Sequence, residues 1–451
     1  MNEQKIKWLG KARDILNTVG PGMCMAKWMQ VTLHLHNGHT HSCHHPNTHK
    51  IPLDEISKDP SPLHNTSFKK EQRKTMLTGG RPQECQYCWN IEDNSPNNVY
   101  SDRILKSVEP WAGLSHSQQV FDAGSTGNIN PSYLEVSFSY ACNFKCSYCS
   151  PQISSKWMEE IKEFGGYPTS LNFNNIEQVT GQDKMPILER EDNPYVDAFW
   201  KWWPELYPTL HTFRITGGEP LMTKHTFSVL DYIIENPNPN LELAINSNFV
   251  VETKLFNKFI EKVKTIVDNG CVKMFTLYTS CEAYKDKAEY IRNGFNYDQW
   301  VSNCSIYLET VPNGNFTVMS TYNALSVTSY KEFLNDILTF KLKYARENRT
   351  VKIDTAYLNY PSWMSVGILP ISFKSYVEDQ INFMKDNHFQ TWEISKLERI
   401  QYLFKDSPEV THLTDFVLFF DEHDRRRNTN FLKTFPELSN FYTNCKSQIK
   451  A

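Results

Sequence analysis

The run Ala141-Cys-Asn-Phe-Lys-Cys-Ser-Tyr-Cys-Ser150 sets three thiols, Cys142, Cys146 and Cys149, in a C-x3-C-x2-C spacing. Residues 133–139 before it alternate apolar and polar side chains, as a half-buried strand does. Three thiolates on one short loop after a strand can converge on one metal centre. A structural zinc site wants four protein ligands, and no fourth Cys or His stands close by. A four-iron cluster on three cysteines leaves one iron open to an exogenous ligand. A zinc knuckle completed by a distant residue is the other reading. Further on, residues 211–216 read as a strand that runs into Gly217-Gly-Glu-Pro220. Two glycines at a strand's end let a ligand approach the backbone closely, although GGEP alone also fits a plain turn.

A second group of thiols precedes the first. Cys24 and Cys43 flank a histidine-rich stretch, and Cys85-Gln-Tyr-Cys88 follows some forty residues later. Four thiols suffice for one fully ligated iron–sulfur cluster or one zinc. Between Cys24 and Cys43, Asn37-Gly38 separates two alternating runs, a strong hairpin signal. A two-residue turn there pairs His36 with His39, His34 with His41 and Thr32 with Cys43, placing all six on one face. A solvent-facing side explains these histidines; contact with an anionic substrate, or tuning of the nearby metal centre, is the sharper alternative.

Composition narrows the class. The chain has 451 residues, 40% hydrophobic and 13% aromatic, which calls for a sizeable core and more than one ordinary domain. A net charge of −4 gives no global reason to bind nucleic acid or a membrane. The start MNEQKIKWLG lacks the apolar core of a signal peptide, so a cytoplasmic protein with reduced thiols is expected. Eleven cysteines at uneven spacing are not a disulfide scaffold. Cys271, Cys281, Cys304 and Cys445 stand singly and read as core residues.

The three-cysteine run, with Tyr148 before its last cysteine and GGEP downstream, resembles the radical S-adenosylmethionine (radical SAM) enzymes. The resemblance implies a [4Fe-4S] cluster on Cys142, Cys146 and Cys149 whose open iron is chelated by SAM. It implies reductive cleavage of SAM to a 5′-deoxyadenosyl radical, which abstracts hydrogen from substrate. By the same resemblance Gly217, Gly218 and Glu219 receive the SAM amino group, Asn246 and Ser247 end a strand that touches SAM, and Ser280 and Arg292 meet its ribose and carboxylate. Cys24, Gly38, Cys43 and the later Cys85 and Cys88 are similar to the twitch and SPASM domains that accompany many such enzymes. They imply a second, auxiliary [4Fe-4S] cluster, here before the barrel instead of after it. A peptide or protein substrate comes first and a small molecule next, with electrons from a donor such as flavodoxin or ferredoxin. A non-catalytic iron–sulfur or zinc module on a partial barrel is the competing class. A tRNA-modifying enzyme is a third, against which the mild acidity speaks.

The elements that must position these residues follow from periodicity. Strands are predicted near 133–139, 211–216, 241–246, 272–279, 316–322 and 351–357, with helices near 226–236, 252–269 and 329–348. Six β/α units suggest an α/β fold, a partial (β/α)6 barrel of the TIM type, with the ligand loops at the strands' C-terminal ends. The expected division is a hairpin and helix auxiliary-cluster domain over 1–125, the barrel over 126–360 with an insertion within 151–205, and a helical extension over 361–451. Phe199-Trp-Lys-Trp-Trp-Pro204 is read as packing or as a cover for the active site. Arg425–Arg427 is read as a local ion-pair network with Asp421, Glu422 and Asp424, or as a holder of phosphate or carboxylate.

Overall fold

The computed structural model describes residues 3–96 and 99–449. Its strands are β1 (Gln30–His34), β2 (His39–His41), β3 (His49–Lys50), β4 (Tyr133–Ser137), β5 (Lys145–Cys146), β6 (Thr212–Thr216), β7 (Asn238–Ser247), β8 (Val272–Ser280), β9 (Arg292–Asn293), β10 (Asn315–Tyr322) and β11 (Val351–Tyr357). The six strands read from alternation are β4, β6, β7, β8, β10 and β11, each within three residues at either end. The fold is α/β, with mostly parallel strands and many helices. Among the described residues, no helix is long and apolar enough to cross a membrane.

The chain divides into two compact units. The first comprises the residues up to Ser139, Pro186–Gly217 and Asn238–Ala244. In it β4 lies parallel to β1 on one side, with Gln30 opposite Tyr133, and to β6 on the other, with Tyr133 opposite Thr212. The hairpin strand β2 runs antiparallel to β1, and β3 antiparallel to β2. Trp202, Trp203 and Phe199 of the helix Pro194–Leu206 are buried, and Phe199 meets Phe138 edge-on at 4.9 Å. These aromatics are therefore packing.

The hairpin register differs from the expected one by two residues. Thr32 stands opposite His41 and His34 opposite His39. Leu35 N–H donates to Ser137 O (2.9 Å), a bond to β4 that ends the antiparallel pairing at His34 and leaves four residues for the turn. Gly38 takes φ +69° in that turn, and a Cβ there would lie 2.1 Å from the Tyr195 ring. A two-residue slip keeps every side chain on its face, but that face is not in solvent: His36, His39 and His41 are all buried. A parallel inner strand such as β1 is covered on both sides, so the solvent-facing reading of these histidines is overturned.

The second unit comprises Tyr140–Met185, Gly218–Pro237 and the chain from Ile245 onward. There β10 lies parallel between β8 and β11, with Asn315 opposite Thr276 and Phe316 opposite Val351. The helix Thr253–Asp268 buries Phe256, Phe259, Ile260, Val263 and Ile266, the one-sided spacing of an amphipathic helix. The helices Lys374–Asp386, Thr391–Ile400, Val410–Arg427 and Ser439–Ile449 follow β11. Asn428, in the left-handed conformation at φ 51°, ends the helix Val410–Arg427 just after its last arginine. Cys271, Cys281, Cys304 and Cys445 are buried, as core residues should be.

Candidate functional site

The three-cysteine loop belongs wholly to the second unit, and its backbone is tied from several sides. Cys142 N–H donates to Ser155 Oγ (3.1 Å), and that hydroxyl donates back to Cys142 O (3.2 Å). Ser154 Oγ donates to Phe144 O (2.7 Å) and, as the N-cap of the helix Ser155–Phe164, accepts from Trp157 N–H. Trp157 Nε1 donates to Cys146 O (2.9 Å), and Asn174 Nδ2 to Cys149 O (2.9 Å). Strand β5 pairs with β9, which sets Cys146 opposite Arg292. With the backbone engaged in this way, the thiols are the groups left for chemistry. Burial pushes the Cys142 thiol up to about 12, and the neighbouring Cys146 adds to the push. Cys149 is raised by burial and then by Cys146 and Cys142.

GGEP straddles the two units. Gly217, in the first, takes φ +136°, and a Cβ on it would meet Ser137 Oγ and Ser139 O at 2.9 Å. Gly218, in the second, would bring a Cβ to 2.4 Å from Ala141 O. Glycine is required at both. Glu219 N–H donates to Ala141 O (2.7 Å), fastening this turn to the start of the cysteine loop. Its carboxylate is 1% exposed and takes three donors: Ser247 Oγ (2.7 Å), Asn248 N–H (2.7 Å) and Leu221 N–H (3.0 Å). Burial raises its pKa to about 7 against the pull of those donors.

Arg292 is buried and ion-paired with Glu282, Nη2 to Oε2 at 2.8 Å. Its Nη1 lies 3.9 Å from Cys146 Sγ, and its guanidinium covers the Tyr148 ring at 5.7 Å. Tyr148 OH donates to the same Glu282 (3.1 Å). Asn246 and Ser247 end β7, and Ser280 ends β8. Asn248, Glu282 and Asn143 are absent from the residues singled out in the sequence. Asn248 Nδ2 donates to Asn143 Oδ1 (2.8 Å), joining the Glu219 turn to the loop between Cys142 and Cys146. A carboxylate two residues past the end of β8 is the one local signal that points to Glu282.

The four earlier thiols stay in the first unit. Cys24, Cys43, Cys85 and Cys88 line one cavity together with Lys27, Arg103 and Lys106. Burial pushes Cys85 and Cys88 up to about 12, and each is raised further by Cys24 and Cys43. Lys27, 3% exposed, pairs with Glu84. Burial works against its charge, but Cys85 and Glu84 beside it outweigh burial and raise its pKa. Lys106 of the lining stands 3.4 Å from Asp102, and buried Ser42 Oγ has no hydrogen-bond partner among the described residues. His34 and His41 stack at 5.2 Å with their Nε2 atoms 3.1 Å apart, and His41 Nδ1 bonds to Cys43 O.

Among the described residues, no group of three or more His, Cys, Asp or Glu is gathered as the ligands of a metal ion. Four thiolates on one zinc, with Zn–S near 2.3 Å, would stand only about 3.8 Å apart. A four-iron cluster takes each thiolate on a different iron and spreads them more widely. The donor sets, three thiols on one loop and four around one cavity, fit clusters in number and chemistry.

No protein-family model matches the chain, and no curated protein matches it. Among solved structures it is similar to Streptococcus suis SuiB bound to the precursor peptide SuiA, at 13% identity and TM-score 0.36, over 80% of this chain and 70% of that one. It is similar also to SuiB bound to S-adenosylmethionine, at 14% identity and TM-score 0.35, over 80% and 71%.

Proposed function

We propose that the chain is a radical SAM enzyme with an auxiliary iron–sulfur cluster. The observation that carries this reading is the compact loop of Cys142, Cys146 and Cys149, whose backbone is held by Trp157 and Asn174 of the same unit. These three would hold a [4Fe-4S] cluster, and Cys24, Cys43, Cys85 and Cys88 a second. Bound together, the first cluster and SAM supply a one-electron cleavage that yields a 5′-deoxyadenosyl radical for hydrogen abstraction from substrate.

The chain's own residues have distinct tasks. Gly217 and Gly218 keep the backbone bare for close approach. Glu219, charged above a pH of about 7, offers a buried carboxylate to an ammonium group, and Ser247 and Asn248 hold it in place. Asn246, Ser280 and Arg292 complete the SAM site in this reading, and Tyr148 and Glu282 orient Arg292. Lys27, Arg103 and Lys106 line the auxiliary site, held by Glu84, Glu92 and Asp102 respectively.

The architecture proposed is the partial (β/α)6 barrel over 126–360, preceded by the twitch-like domain over 1–125 and followed by the extension over 361–451. The substrate is a peptide, a protein or a small molecule, the electron donor a flavodoxin or ferredoxin, and the location the cytoplasm. The test is anaerobic reconstitution followed by dithionite and SAM. The expected outcome is 5′-deoxyadenosine and about eight irons per chain, two four-iron clusters. Iron without 5′-deoxyadenosine would make the chain a non-catalytic cluster module, and about four irons would remove the auxiliary cluster.

A further inference from the structure

The three-cysteine loop also receives a bond from about 280 residues further along the chain. Arg427 Nη1 donates to Lys145 O (2.8 Å), immediately before Cys146. Its Nε and Nη2 hold Glu160 at 3.1 and 3.2 Å, and its guanidinium lies 4.8 Å from the centre of the Trp157 ring. Trp157 in turn donates to Cys146 O. One side chain, itself only 1% exposed, therefore fixes the peptide on both sides of the Cys146 α-carbon, directly at Lys145 O and through Trp157 at Cys146 O.

The helix that carries Arg427 grips the neighbouring segment at two more points. Arg426 donates to Gly165 O and Gly166 O, both at 2.9 Å. Near the other end of that helix, Asp415 accepts from Ser170 N–H (2.6 Å) and Ser170 Oγ (2.7 Å). Four residues beyond Ser170 stands Asn174, the donor to Cys149 O. The reading of Arg425–Arg427 as a local network is thus half correct: Arg425 and Arg426 pair with Glu422, whereas Arg427 leaves for Glu160.

Around Cys146 the buried Arg292 pairs with the buried Glu282, and the partly exposed Lys145 supplies one cation more than the carboxylates balance. Arg427 and Lys145 are cationic, and both bond to the single carboxylate of Glu160. We propose that the helix Val410–Arg427 belongs to the cluster-binding machinery, with Arg427 a positioning residue that sets Cys146 and leaves net positive charge beside the cluster. This rests on the reading of Cys142, Cys146 and Cys149 as cluster ligands. Positive charge and hydrogen bonding near a cluster favour its reduced, more negative form.

The test uses the full chain, reconstituted anaerobically, with Arg427→Met and Arg427→Lys beside wild type. Iron per chain, melting temperature, the midpoint potential and the EPR signal that responds to SAM are read in each. Arg427→Met is expected to keep the wild-type iron content while its SAM-responsive cluster becomes tenfold harder to reduce, 59 mV for one electron. Arg427→Lys keeps the charge but not the planar fork and is expected to restore at least half of that shift. A wild-type potential and EPR signal in Arg427→Met would overturn the proposal. So would loss of iron in both variants in step with their melting temperatures, the mark of a merely structural contact. A wild-type chain with no SAM-responsive cluster would instead overturn the proposed function itself.

Discussion

The two groups of thiols differ in what surrounds them more than in what they are. In the first unit four sulfurs share a cavity with Lys27, Arg103 and Lys106, the full ligand set of a cluster under the proposed function. In the second, three sulfurs share one loop, and the nearby turn holds a buried carboxylate, Glu219, gripped by three donors. A site with its ligands complete is suited to storing or passing an electron. A site one ligand short, beside an acceptor for a cationic group, is suited to receiving a molecule. The difference of one thiolate divides those tasks.

Removal of one ligand from each site breaks the comparison most severely. Cys146→Ala should abolish 5′-deoxyadenosine formation and leave about four irons per chain, those of the four-thiol cavity. Cys88→Ala should also leave about four irons, yet keep an EPR signal that changes on addition of SAM. If both variants lose the same signal, the two sites are not independent.

Glu219 offers the next largest effect. A hydrogen bond to a charged group contributes about 1.5–3 kcal/mol, so Glu219→Gln should weaken SAM binding by about ten- to a hundredfold in equilibrium dialysis. In wild type the affinity should fall as pH drops from 8 to 6, because a carboxyl with a pKa of about 7 loses its charge across that range. Glu219→Gln should show no such dependence. The same upward shift makes burial of the charged form costly, so this group lowers the chain's stability as pH rises from 4.5 through 7.

A smaller effect separates the units by stability. Burial holds His36 down at about 4 and His49 at about 2, against an ordinary 6.5. Both stay neutral in the folded chain while the unfolded chain binds protons, so their stabilisation is complete above 6.5 and drains away below it. His36 alone should cost the first unit about 2 kcal/mol by pH 5. Hydrogen exchange at pH 7 and pH 5 should show protection falling at β1 and β2 before β10 and β11. The smallest change expected is in Ser247→Ala, which removes one of three donors to Glu219 and should cost about 1 kcal/mol in denaturant unfolding.

Six of the strands were legible because their alternation is strong, and the cysteine loop because its spacing is compact. Long-range partners were not. Nothing near Arg427 points to Lys145 or Glu160, since the arginines stand beside acids that could satisfy them locally. Arg292 reads as an unpaired fork until Glu282 is seen to take its Nε and Nη2, which leaves Nη1 beside Cys146. The buried histidines mislead for a different reason. Alternation in β1 resembles that of a strand with one wet face, whereas pairing with β4 places it inside the sheet. Polar residues on its second face then meet one another, as in His34 against His41, or a hydroxyl, as in His36 Nδ1 to Ser137 Oγ at 3.0 Å.

The grip of Arg427 also bears on the timing of synthesis. The cysteine loop leaves the ribosome about 280 residues before the arginine that braces it. At 5–20 residues per second that interval is about 15–55 s. During it the three thiols are present without their last support. Iron delivered to the nascent chain would meet a loose loop, and iron delivered after release would meet a closed one, so assembly of this centre should favour the finished chain.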